Sequence, residues 1–179
     1  RYPERTAALV LLVPAAYVPR PGGGPSLATP PRTPIIFDTA LRSDFLFWAA
    51  MHIAPETMQR SVLATPPEVL RAATADEKAR VAEILAHILP VSSRRLGLLN
   101  DAAVVSRLER YELEKIAAPT LVISVEDDLY GTYEPARYTA ENVPGARFIS
   151  YPMGGHVWVG HHDEVISAIT QFLRDAQVD

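Results

Sequence analysis

Three of the chain's five histidines fall within SYPMGGHVWVGHHDEV, Ser150–Val165, and two glycines stand directly before the first of them, His156. Glycine lets the backbone turn sharply or approach another group closely. An imidazole in such a loop is suited to take and return a proton near neutral pH. Upstream, EDDLYGTYEP supplies three consecutive acids, Glu126, Asp127 and Asp128. A carboxylate bonded to a histidine fixes the tautomer of the ring and stabilises the imidazolium that forms when the ring takes a proton. An acid from the first stretch and His156 from the second therefore make a candidate acid–base pair; Asp128 and His156 are 28 positions apart. The plainer alternatives stay open: a turn histidine bonded to a nearby carbonyl, and a solvated turn acid. His161 and His162 precede a helical run and are expected to serve structure. HHDE does not match H-E-x-x-H and no second cluster accompanies it, so the expectation is no metal site.

These two loops need elements that bring them together. PTLVISV (Pro119–Val125) and ARFISYP (Ala146–Pro152) are short apolar runs that read as strands, each ending at one of the loops. Between and after them, Glu134–Val143 and Asp163–Ala176 read as helices, the latter with acids in its first turn. Strand, helix, strand, helix at this spacing means parallel pairing, and ligands of open parallel sheets bind beyond the carboxyl ends of the strands. The spacing of about one crossover puts the acids and His156 on neighbouring strand ends.

Earlier in the chain, TAALVLLVP (Thr6–Pro14) reads as a strand buried on both faces. PRPGGGPSLATPPRTP (Pro19–Pro34) holds six prolines and three glycines and forms no regular element. From about Ala40 to Leu108 the rhythm is helical. LRSDFLFWAAMHI has apolar residues at helical spacing, and PETMQRSVLA opens with Pro55, suited to a first helical position. TADEKARVAEILAHIL carries a predicted capping box, Thr74 with Glu77, and buries Val81, Ile84, Leu85 and Ile88. SSRRLGLLNDAAVVSRL reads as a further helix, although Gly97 within it is a weak helix former; Arg94 and Arg95 in it are expected on a solvated face. Phe45, Phe47, Trp48 and Met51 either line a pocket or pack a core. Trp158 either walls that pocket or packs on the last helix. Trp48, Met51 and Trp158 are the residues taken forward as substrate contacts.

The chain of 179 residues is 48% hydrophobic and 21% charged, enough for one domain with a real core. Its net charge of −4 gives no electrostatic reason to expect nucleic acid or an anionic membrane as partner. Cysteine is absent, which excludes disulfides, thiolate metal sites and thiol nucleophiles. Ala7–Val18 is too short to span a bilayer and lacks a cleavage site, and a cytoplasmic location is the expectation. The first residue is Arg1 rather than Met, which leaves room for a longer gene product.

In order and spacing, these stretches resemble the C-terminal half of the α/β-hydrolase family, in particular bacterial esterase and C–C bond hydrolase-like members. RYPERTAALVLLVPA is similar to the end of the helix behind the nucleophile followed by the sixth strand. The helical stretch is similar to an inserted cap, IAAPTLVISVEDDLYG to the strand carrying the acid, and VPGARFISYPMGGH to the last strand and histidine loop. The resemblance implies an α/β fold of parallel-sheet type, sixth to eighth strands, divided as 1–38 (strand and loop), 39–110 (helical cap) and 111–179 (C-terminal core). The family's G-x-x-D reads V-E-D-D here, with Val125 in place of glycine; this maps the acid to Asp128, with Asp127 as rival, and the base to His156. The order of the family's triad is nucleophile, acid, histidine, and no G-x-S-x-G occurs in the chain. GPSLA offers Ser26, but it lacks the strand before and helix after that an elbow needs.

The implied function is hydrolysis by acyl transfer on a small, largely apolar ester or carbonyl-adjacent bond, without a cofactor. The nucleophile, the first five strands and the oxyanion-hole donors would lie upstream, so the partners expected are a small-molecule substrate and a missing N-terminal half carrying the nucleophile. Dehalogenases with an aspartate nucleophile and cofactor-free haloperoxidases share the fold. The alternative from another class is a non-catalytic fragment, degenerate paralogue or binding module, for which the lack of a nucleophile speaks.

Overall fold

The computed structural model describes residues 5–19, 41–105 and 107–176. Positions 20–34 of the proline- and glycine-rich segment, with Ser26, lie outside them, as does the entry from that segment into the helices.

Among the described residues, three parallel strands form the sheet: β1 (Leu9–Leu12), β2 (Thr120–Val125) and β3 (Arg147–Tyr151), in the order β1-β2-β3. Leu9 lies opposite Thr120, and Leu121 opposite Arg147. The run TLVISV is rich in β-branched residues, which favour the pleated conformation. As the middle strand, β2 has all six residues buried. The strand expected over Thr6–Pro14 is shorter, and its four residues are half-buried rather than buried on both faces. The reason is position: β1 pairs only with β2 among the described residues, and Val13 leaves the strand with a left-handed φ of +41°.

Among the described residues, five α-helices lie between β1 and β2: α1 (Asp44–Ile53), α2 (Pro55–Val62), α3 (Pro67–Ala72), α4 (Ala75–Ala86) and α5 (Val91–Val105). The Ser43 hydroxyl caps α1 by accepting from the Leu46 amide at 3.3 Å. Pro55 opens α2, as its ring suits a first turn. Helix α3 has no counterpart in the sequence reading; it has only six residues, with Pro66 as its cap and Pro67 as its first residue. On α4, Val81 and Leu85 are buried, and Ile84 and, just beyond the helix, Ile88 pack beside them, as the 3–4–7 spacing requires. The capping box there is half formed. The Thr74 hydroxyl accepts from the Glu77 amide at 3.3 Å, but the Glu77 carboxylate is engaged elsewhere. Asp44 ties α1 to the start of α5 by accepting from the Ser92 amide and hydroxyl at 2.9 and 2.8 Å, bonds that hold its carboxyl below the usual range.

Helix α6 (Tyr133–Asn142) crosses from β2 to β3, and α7 (His162–Ala176) follows β3. Two apolar cores result. One lies among the helices and includes Leu41, Phe47, Met58, Val81, Leu85 and Val91; the other joins β2 to α7 through Leu121, Ile123 and Val165. No helix among the described residues is long and apolar enough to cross a membrane.

Candidate active site

Asp128 sits in the turn that leaves β2, and its side chain is fully buried. A buried carboxylate must be satisfied by donors, and three are supplied. Oδ1 accepts from the Tyr130 amide at 2.8 Å. Oδ2 accepts from the Thr132 hydroxyl and from His156 Nδ1, the latter at 2.8 Å. The Gly131 amide closes the turn onto the Asp128 carbonyl at 2.9 Å, with glycine taking the left-handed φ of +69°. An ionised carboxylate only accepts, so the shared hydrogen belongs to Nδ1. The neutral ring then carries its lone pair on Nε2, which has no hydrogen-bond partner among the described residues. The His156 side chain is 29% exposed, and Nδ1 is the nitrogen turned to the buried Asp128.

The neighbouring acids do other things. Asp127 Oδ1 accepts from the Gly155 amide at 2.7 Å, pinning the histidine loop by its backbone. Glu126 is exposed, and its amide extends the ladder to the Tyr151 carbonyl at 2.9 Å. The carboxylate partner of His156 is thus Asp128, not its rival.

Several residues of the arrangement escaped the sequence reading. Tyr130 places its ring edge-on to His156, with centroids 4.8 Å apart, and donates its hydroxyl to the Val62 carbonyl at 2.9 Å. Burial, and then the Asp128 charge, raise the pKa of that hydroxyl. Leu63–Pro67, which runs from the end of α2 into the first residue of α3, is buried throughout. Its Ala64, at a left-handed φ of +43°, turns its carbonyl to both loops, accepting from Leu129 N at 3.0 Å and His156 N at 3.4 Å. The close approach foreseen at the glycines is to protein: a Cβ on Gly155 would lie 2.5 Å from Thr65 Oγ1. The Thr132 signal was present in the sequence as a hydroxyl four positions after Asp128. Ala64 and Thr65 gave none, because their part depends on contacts remote in sequence.

Beyond His156 the chain alternates between the two cores. Val157 and Val159 enter the helical core, while Trp158 packs with Leu121, Ile123 and Val165 of the sheet core. Trp158 thus shows the packing foreseen as one of its two alternatives, with its backbone at a φ of +42° and its indole against Val165 of α7. Trp48 and Met51 line a cavity of about 620 Å³ among α1–α4, together with Leu70, Val81 and Leu85. Neither Asp128, His156 nor Trp158 lines that cavity, so the three expected substrate contacts are not brought together with the acid–base pair. His161 stacks on Tyr151 at 4.1 Å and bonds Glu164 at 3.1 Å; His162 begins α7.

No protein-family model and no curated protein matches the sequence. Solved structures do. An alpha/beta hydrolase fold protein from Nakamurella multipartita is similar at 24% identity and a TM-score of 0.57, over 97% of this chain and 63% of that one. A hydrolase from Pseudomonas aeruginosa is similar at 22% identity and 0.56, over 98% and 57%. A thermophilic esterase from Thermogutta terrifontis is similar at 18% identity and 0.54, over 98% and 58%. The chain spans about three fifths of the length of these structures, 57–63%. With its three parallel strands, its helices inserted after β1 and its acid and histidine loops on the ends of β2 and β3, the chain has the C-terminal portion of the α/β-hydrolase fold.

Proposed function

We propose that the chain supplies the acid and the base of a hydrolase working by covalent acyl transfer, with the nucleophile outside these 179 residues. The observation that carries this reading is the bond of 2.8 Å between His156 Nδ1 and a fully buried Asp128 carboxylate, which leaves Nε2 basic at the carboxyl end of a parallel sheet. In such a reaction the nucleophile attacks an ester carbonyl as Nε2 takes its proton. The same nitrogen returns that proton to the departing alkoxide. Asp128 holds the ring in the correct tautomer and stabilises the imidazolium. Water then hydrolyses the acyl intermediate by the same proton path. The helices between β1 and β2, whose Leu63–Pro67 strip bonds both loops through the Ala64 carbonyl, fit the role of a cap.

The test compares the 179-residue chain with a form carrying the residues encoded before Arg1, using a serine-directed fluorophosphonate and short p-nitrophenyl esters. Only the longer form should label, upstream of Arg1. In it, His156→Ala should lower kcat by roughly four to six orders of magnitude with KM little changed, since the base acts in the transition state. Labelling of Ser26 in the short chain would overturn the proposal. Labelling of neither form would support the second reading, a non-catalytic module, which draws on the lack of a G-x-S-x-G turn in the sequence.

A further inference from the structure

The contacts of Asp127, Asp128 and Ala64 hold His156 from one side. A separate set grips the other side of its loop, from a helix that belongs to neither strand end. Glu77 and Arg80 lie three residues apart on α4, and both side chains are only 17% exposed. They form a two-pronged ion pair, Arg80 Nε to Glu77 Oε1 at 3.0 Å and Nη2 to Oε2 at 2.9 Å. Both groups then reach off their own helix. Arg80 Nη2 also donates to the Val157 carbonyl at 2.8 Å, and Glu77 Oε2 also accepts from the Gly160 amide at 2.8 Å. The guanidinium lies over the Trp158 ring, 5.9 Å from its centroid. One carbonyl and one amide are thereby fixed on either side of Trp158, the residue with the left-handed backbone.

A non-glycine residue keeps that conformation only where its surroundings over-determine it. The exposed ion pairs of the chain differ in kind: Arg137 meets Glu134 and Glu141 along α6, and their side chains are 47%, 58% and 57% exposed. The Glu77 carboxylate is held below its ordinary range, first by Arg80 and further by the Gly160 amide. A capping residue would have turned back to the amide of Thr74; this one is spent on the histidine loop instead.

We propose that Glu77 and Arg80 are positioning residues for His156: they clamp the turn at Val157–Gly160, so that the imidazole meets Asp128 only while α4 is seated on the loop. The proposal rests on the reading of Asp128 and His156 as the acid–base pair. It makes the helical segment a condition of the base being armed, and any movement of α4 away from the loop would slacken the His156–Asp128 bond.

The experiment is proton NMR of the 179-residue chain, following the low-field Nδ1 proton of His156 and its exchange with water. In the parent this resonance is expected, and Asp128→Asn should abolish it. Arg80→Met should speed its exchange by about tenfold or more, as local opening becomes easier, or broaden it away. Arg80→Lys, which keeps one charge but not the fork, should fall between. Arg137→Met, which removes an exposed pair, should leave it as in the parent. Should Arg80→Met fail to fold, Glu77→Gln carries the test, because it keeps the side-chain shape and removes the charge that orients Arg80; faster exchange is again expected. Variants that lower the melting temperature yet leave the exchange unaltered overturn the positioning role while the acid–base pair stands. A parent without the resonance overturns the pair itself, and the clamp's purpose with it.

Discussion

Asp127 and Asp128 are adjacent and chemically identical, and the turn after β2 separates their work. Asp128 collects the Tyr130 amide, the Thr132 hydroxyl and His156 on one buried carboxylate, whereas Asp127 holds the Gly155 amide. If the proposed function holds, Asp128→Asn in the form extended before Arg1 should lower kcat by about four orders of magnitude, because a neutral amide neither fixes the tautomer nor stabilises the imidazolium. Asp127→Asn keeps an amide oxygen facing Gly155 and should lose no more than roughly tenfold. Ester-hydrolysis rates of the two variants side by side decide the matter, and equal losses would reassign the acid. The sequence alone narrowed the acid to three consecutive carboxylates. Choosing among them took the spacing shared with the hydrolases, because burial of one carboxylate and not its neighbour is set by the turn and by Thr132, not by residue type. For His156 the two glycines left a turn histidine open, and it was the shared spacing that pointed to a base; the neighbour for which Gly155 makes room, Thr65, gave no signal.

At the scale of elements, periodicity located four of the five inserted helices and all three strands, with shifts of a few residues at their ends. It failed where side chains did not face one core. Helix α3 is too short to show a period. The capping box on α4 was half right, since the pull of a loop 83 positions away outweighed a local bond. On α5, Gly97 lies mid-helix without a left-handed backbone, and an added Cβ there would meet nothing within 4 Å. Nothing in the packing requires a glycine at this position. Gly97→Ala should accordingly stabilise the chain by about 0.5–1 kcal/mol, through helix propensity and a less flexible unfolded state. That corresponds to a rise of roughly 1–4 °C in the melting temperature, read by circular dichroism; a fall would mean that Gly97 has a contact role.

On the scale of the whole molecule, the sheet core and the helical core meet at the histidine loop, where Val157 and Val159 enter one and Trp158 the other. The two cores should unfold together for that reason. Val157→Ala, which removes two buried methyl groups' worth of packing, should cost about 2 kcal/mol. It should also raise hydrogen exchange in α4 as well as in β2, whereas a rise confined to α4 would show the cores to be independent. The same interleaving bears on how pieces of such proteins can be recombined. A graft that imports only residues 44–105 from a relative would bring a fourth helix with no carbonyl and amide cut to receive it, and would strand two valines against a foreign surface. The smallest transplantable unit is instead discontinuous: the helices, the buried Leu63–Pro67 strip and Gly154–Gly160 must travel together, so that a crossover point belongs after Gly160 and not at the end of α5.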